Sequence, residues 1–136
     1  MCLVPSDDTA RKLTEVAKVL EPYDDCAERF FSAVGDLMGR KRKSDDIVKD
    51  LFIAAEGYLK NITSENDFVS AVKALHKTGA LNAIQRGVME KLHGYRSDAK
   101  GVGHAGNSPA PNERDALWFL ETLLVQLTHI DRSQAR

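Results

Sequence analysis

Between Glu113 and Ile130 the side chains Ala116, Leu117, Trp118, Phe119, Leu120, Leu123, Leu124, Val125, Leu127 and Ile130 leave little polar face. A helix that is apolar on most sides must be covered on most sides. The rest of the chain therefore has to wrap this segment, or a second subunit has to cover it. Its densest apolar cluster, Ala116 to Leu120, is far too short to span a bilayer. The remaining sequence is also written in helical period. No stretch alternates cleanly with period two, and β-branched runs are missing. The expected fold class is all-α, a bundle of about five to six helices.

Start and stop signals divide the chain. Ser6 is the expected N-cap of a first helix over residues 7–21, with Asp7 and Asp8 at its positive end and Pro22 beyond it. Leu13, Val16, Ala17 and Leu20 share one face. A second helix over 24–39 turns Ala27, Phe30, Phe31, Val34 and Met38 inward. Ser44 is predicted to cap a third over 45–62, which buries Val48, Leu51, Phe52, Ala55, Leu59 and Ile62 and points Lys49 and Asp50 outward. Ser64, Asn66 and Asp67 offer cap chemistry for a fourth through Lys77, lined by Phe68, Val72 and Leu75 and stopped by Gly79. A fifth over 80–94 places Leu81, Ile84, Val88, Leu92 and Tyr95 on one side. Asn112 caps the last, over 113–130. Residues 1–43 read as an N-terminal helical segment packed on a bundle formed by 44–136.

The 136 residues suffice for one domain with a real core, and a net charge of -1 argues against a broad nucleic-acid-coating surface. One local basic run, Arg40-Lys41-Arg42-Lys43, follows the second helix, where cations suit the negative helix end. An RNA-facing patch is the alternative. Cys2 and Cys26 match no redox or metal spacing and read as free thiols. The start lacks a basic leader and long apolar core, so the expected location is cytoplasmic, with no membrane partner. Asp7-Asp8, Asp24-Asp25 and Asp45-Asp46 complement helix dipoles and are not ligand pairs, since neighbours on a helix point in different directions. No metal or cofactor is expected, and neither a P-loop, a dinucleotide fingerprint nor a nucleophile elbow is present.

The polar segment from His93 to Asn107 is long for a connection between helices and carries Arg96, Lys100, His104 and several glycines. A guanidinium holds phosphate through paired donors, and an imidazole moves protons near neutral pH. His76, His93 and His129 lie near expected helix ends, where a histidine ordinarily meets free carbonyls. Glu56 flanks the buried face of the third helix, as a rim residue or as a partner for an active-site cation.

From Ser44 onward the order of features resembles the C-terminal domain of bacterial abortive-infection proteins of the AbiJ-like group, within the HEPN superfamily. The residues behind the resemblance are Asp46-Ile47-Val48-Lys49-Asp50-Leu51-Phe52-Ile53-Ala54-Ala55-Glu56-Gly57-Tyr58-Leu59, then Asp67 to Leu75. Lys91-Leu92-His93-Gly94-Tyr95-Arg96-Ser97-Asp98 and Gly101-Val102-Gly103-His104-Ala105 follow, and an Ala- and Leu-rich helix closes the pattern. The resemblance implies an all-helical, typically dimeric domain, similar in many members to metal-independent ribonucleases that act as toxins or in phage defence. It puts Arg96 at the family's arginine and His104 at its histidine. Seven residues separate them here, a longer spacer than the family's usual one, and Ser97 holds the polar position after the arginine.

Metal-free RNA cleavage needs proton transfer at the attacking 2′-hydroxyl and at the leaving oxygen, and a cation on the phosphate. The expected roles are proton transfer for His104 and a phosphate clamp for Arg96. Lys100, Asn107, Tyr95 and Glu56 are the further binding candidates, together with the loop's backbone N–H groups. Expected partners are a second copy of the chain, RNA, and a toxin–antitoxin or defence-system protein. The competing readings are a non-catalytic helical module that dimerises or binds nucleic acid, and a small regulatory subunit.

Overall fold

The computed structural model describes residues 5–98 and 109–134. These form six helices: α1 (Asp7–Leu20), α2 (Asp24–Gly39), α3 (Ser44–Thr63), α4 (Phe68–Lys77), α5 (Ala83–Asp98) and α6 (Glu113–Gln134). No strand occurs among the described residues, and no helix is long and apolar enough to cross a membrane. The protein is an all-α bundle.

Local chemistry explains most of the helix starts. Ser6 Oγ accepts the Thr9 backbone N–H at 3.1 Å, and an Asp67 carboxylate oxygen accepts that of Ser70 at 2.7 Å. Asn112 and Asp115 exchange side-chain-to-backbone bonds of 2.8 and 3.0 Å at the head of α6. Asn82 and Gln85 do the same for α5, at 2.8 Å each way. That pair moves the start of α5 three residues past the expected position. Ser44 is the first residue of α3 rather than its cap; Lys43 takes the cap position, with no side-chain bond.

Helix α6 packs against α1, α2, α3 and α5. Phe119, Leu120, Leu123, Leu124, Leu127 and Ile130 are fully buried on it. Trp118 and Val125 are half exposed instead of enclosed. Thr9 Oγ1 donates to Glu121 at 3.0 Å and Arg132 to Glu15 at 2.9 Å, which ties α1 along α6. On α1, Ala17 faces solvent and Val19 is buried in its place.

At the corner between α2 and α3 the basic run turns back on the protein. Arg40 adopts the left-handed conformation (φ 54°) that ends α2, and its guanidinium meets Glu113 at 3.1 Å. Arg42 reaches Asp36 at 2.5 Å and Asp50 at 2.7 Å, and Arg29 reaches Asp50 at 3.1 Å. Asp50 is therefore half-buried and ion-paired, not an outward residue. These pairs are partly exposed, so each is worth at most about 1 kcal/mol. Their effect is to commit two of the four cations of the run to the bundle's own carboxylates.

Helices α2 and α3 pack together where Gly57 faces Cys26, a buried free cysteine. Burial first, and the Asp25 carboxylate second, push that thiol above its ordinary range. A Cβ on Gly57 would lie 2.8 Å from the Cys26 Sγ. Gly57→Ala is expected to destabilise the fold by about 1–3 kcal/mol in chemical denaturation, the usual cost of overpacking. In a Cys26→Ala background most of that loss should disappear. An equal loss in both backgrounds would contradict the close approach.

Candidate functional site

The roll of α5 decides which of its side chains meet the core. Met89 is fully buried and Leu92 nearly so, whereas Ile84 is 79% exposed and Val88 only half-buried. The inward stripe therefore runs through Met89, Leu92, His93 and Arg96; of the expected stripe Leu81 and Leu92 are buried and Tyr95 packs against the core, whereas Ile84 leaves it. The helix also continues beyond Gly94 to Asp98. Arg96 thus stands on the last turn of a helix, where a polar connection between helices was expected.

On this inward stripe Arg96 extends over α3. Its Cζ lies 5.4 Å from the centre of the Phe52 ring, and its Nε is buried with no hydrogen-bond partner among the described residues. An unmatched buried N–H costs about 1–3 kcal/mol. The π face of Phe52 offsets part of that through about 0.5–2 kcal/mol of cation–π attraction. One turn earlier, His93 stacks on Phe68 of α4, with ring centres 5.7 Å apart and planes inclined by 16°. The same imidazole lies 5.9 Å from the Phe52 ring, which rests on Phe68 at 4.7 Å. Three helices so contribute to one aromatic floor carrying an imidazole and a guanidinium.

The other two described histidines are committed to the backbone. The His76 ring bonds the Leu81 carbonyl through Nδ1 at 3.0 Å. His129 bonds the Ala80 carbonyl through Nε2, also at 3.0 Å. His76 lies at the end of α4 as expected, but it meets a carbonyl of the α4–α5 connection and not one of the helix's own free carbonyls. His129 instead ties α6 to the α4–α5 connection, and His93 packs against two phenylalanines. Sequence reading passed over His93 as a binding residue, although its position three residues before Arg96 was the available signal.

Tyr95 leaves α5 on a different flank. Its ring lies 6.1 Å from Trp118 and 6.0 Å from Phe119 on α6, and burial first, with Asp115 second, pushes its hydroxyl above the ordinary range. The structure therefore separates Tyr95 from Arg96, sending one to α6 and the other to α3. Glu56 sits half-buried on α3, one turn after Phe52, and makes no ion pair among the described residues. His104, Lys100 and Asn107 lie outside the described residues. Near the α4 end of the site, the Asp67 carboxyl is held below its usual range, first by the Ser70 backbone N–H and, more weakly, by the charge of His93.

A separate depression of 630 Å³ is lined by Glu15, Tyr23, Tyr58, Asn61 and Asp131 among others. Burial, with Asp131 beside it, pushes the Tyr58 hydroxyl strongly upward. Neither Arg96, Tyr95 nor Glu56 lines this depression, and its charges are mixed in sign. Among the described residues, no three His, Cys, Asp or Glu side chains gather as a metal site. Comparison with known protein families, with characterised proteins and with solved structures returns no match.

The seating of Arg96 on Phe52 is open to a double-mutant cycle. Phe52→Leu and Arg96→Met, measured singly and together by chemical denaturation, should show a coupling of about 0.5–2 kcal/mol. Strict additivity would mean that the guanidinium does not use the ring.

Proposed function

We propose that this chain is an RNA-directed helical domain of a phage-defence or toxin system, acting as a homodimer. In this reading Arg96 holds a backbone phosphate and His104 transfers protons in metal-independent cleavage. The supporting observation is the position of Arg96: a guanidinium fixed on an aromatic ring at the end of α5, directly before the segment that carries His104. The sequence resemblance to HEPN domains assigns the same two residues. The chemistry is self-contained. The 2′-oxygen forms a bond to phosphorus as the phosphorus–5′-oxygen bond breaks, leaving a cyclic phosphate and a 5′-hydroxyl. The base takes the 2′ proton, an acid delivers one to the leaving oxygen, and the guanidinium stabilises the charge on the non-bridging oxygens.

A second copy is supported by an apolar strip on two neighbouring helices. Tyr95 touches Trp118, and His129 late in α6 bonds Ala80 just before α5, so the two helices run antiparallel. Ile84, Val88 and Tyr95 fall on one stripe of α5, and Trp118 and Val125 on one stripe of α6. Ile84 is 79% exposed, Trp118 50% and Val125 49%. Exposed large apolar side chains on one surface mark an interaction site more often than chance placement does. The same strip favours a second reading, a non-catalytic dimerisation module, which keeps the dimer and loses the cleavage.

Purified protein is expected to cut RNA in the presence of EDTA and to leave cyclic phosphate ends. His104→Ala should lower the rate by about 10²–10⁴ and Arg96→Ala by about 10²–10³, the usual worth of a proton-transfer group and of a charge-stabilising donor. Full activity in His104→Ala removes the mechanism; binding without cleavage in the wild type selects the non-catalytic module.

Light scattering should give twice the chain mass, falling to a single chain for Trp118→Glu. A wild-type monomer at all concentrations would rule out the proposed dimer.

A further inference from the structure

We infer that His93 and Arg96 together form one phosphate-binding pair on α5, with the imidazole as the second ligand to the same RNA phosphate. The ligand class rests on the reading above; the pairing itself rests on the structure. Both side chains belong to the stripe turned inward by Met89 and Leu92, and residues three apart on a helix are neighbours on its surface. Both also meet the Phe52 ring, His93 at 5.9 Å between ring centres and Arg96 at 5.4 Å from Cζ. Three residues of helix rise about 4.5 Å, a spacing at which two donors can close on the oxygens of one phosphate.

The surroundings favour this use of His93. Stacking on Phe68 fixes the plane of the ring, so its remaining freedom is small and little entropy is lost on binding. The side chain stays partly exposed, and unlike His76 and His129 it makes no backbone bond among the described residues. The Asp67 carboxylate is already engaged by the Ser70 N–H at 2.7 Å as the cap of α4. The last turn of α5 presents free carbonyls, whose partial negative charge suits the Arg96 guanidinium. Within one chain the pair therefore supplies an imidazole beside the phosphate clamp, so a second proton-transfer group need not come from a partner subunit.

The test uses the full chain and two probes, inorganic phosphate and uridine 3′-monophosphate, followed by NMR of the imidazole and guanidinium nitrogens. Either probe should move the His93 and Arg96 signals together, with one affinity, while those of His76 and His129 stay in place. His93→Gln and Arg96→Lys should each weaken both probes about tenfold or more, because each removes a charge-assisted donor or its fork geometry. Lys91→Gln, on an exposed position of the same helix, should bind as the wild type does. An unmoved His93 signal at saturating phosphate, or wild-type affinity in His93→Gln, overturns the pairing. The two proposals fail separately. Cleavage at wild-type rate by His93→Gln with a silent phosphate titration removes the pair and leaves the ribonuclease reading. Phosphate binding by both residues without RNA binding or cleavage leaves the pair and removes that reading.

Discussion

Burial of Met89 and Leu92 fixes the roll of α5, and with it the position of every cation that helix carries into the candidate site. Fully burying such side chains is worth about 1.5–3 kcal/mol each. That exceeds what Arg96 gives up by bringing its Nε into the core edge, once the Phe52 ring is counted. The apolar contacts thus choose the orientation and the guanidinium follows. Its methylene stem covers apolar surface in the manner of long basic side chains generally. Rolled by one residue, the same helix would bury Ile84 and Val88 and place Arg96 elsewhere on its circumference. A packing decision made two turns away sets the chemistry at the end of the helix.

The second organising element is α6. Its inner face is the common wall for α1, α2, α3 and α5. Its outer stripe, through Trp118 and Val125, continues an apolar surface that Tyr95 begins on α5. The covered sides explain why a sequence with so little polar character near Leu120 is compatible with a single chain. The basic corner contributes to architecture. Arg42 clamps Asp36 and Asp50 while Arg40 joins the end of α2 to Glu113 at the head of α6. Those charges hold three helix ends in place.

Much of the bundle was legible in the sequence because capping is local. Ser6, Asp67 and Asn112 each act within three residues of themselves, and a linear reading can see that far. The roll of α5 was not legible. Its few apolar side chains support two stripes of similar weight, and only the surfaces of α3 and α4 choose between them. The fifth helix was expected to end at Gly94, yet a helical glycine costs only about 1 kcal/mol relative to alanine. Tyr95 on Phe119 and Arg96 on Phe52 offset that cost and carry the helix on to Asp98. Asp50 read as outward because its partners, Arg29 and Arg42, are supplied by the turn of the chain. His93 was undervalued for the same reason: its meaning depends on Phe52 and Phe68, which come from two other helices.

The central claim is that α5 turns His93 and Arg96 onto the phenylalanine floor. Proton NMR of the uniformly labelled protein tests it most directly. The account predicts cross-relaxation from the His93 ring protons to the Phe68 ring and from the Arg96 δ protons to the Phe52 ring, with the Arg96 signals moved upfield by the ring current. Random-coil shifts for Arg96, together with cross-relaxation from Ile84 and Val88 to the core phenylalanines, would contradict it.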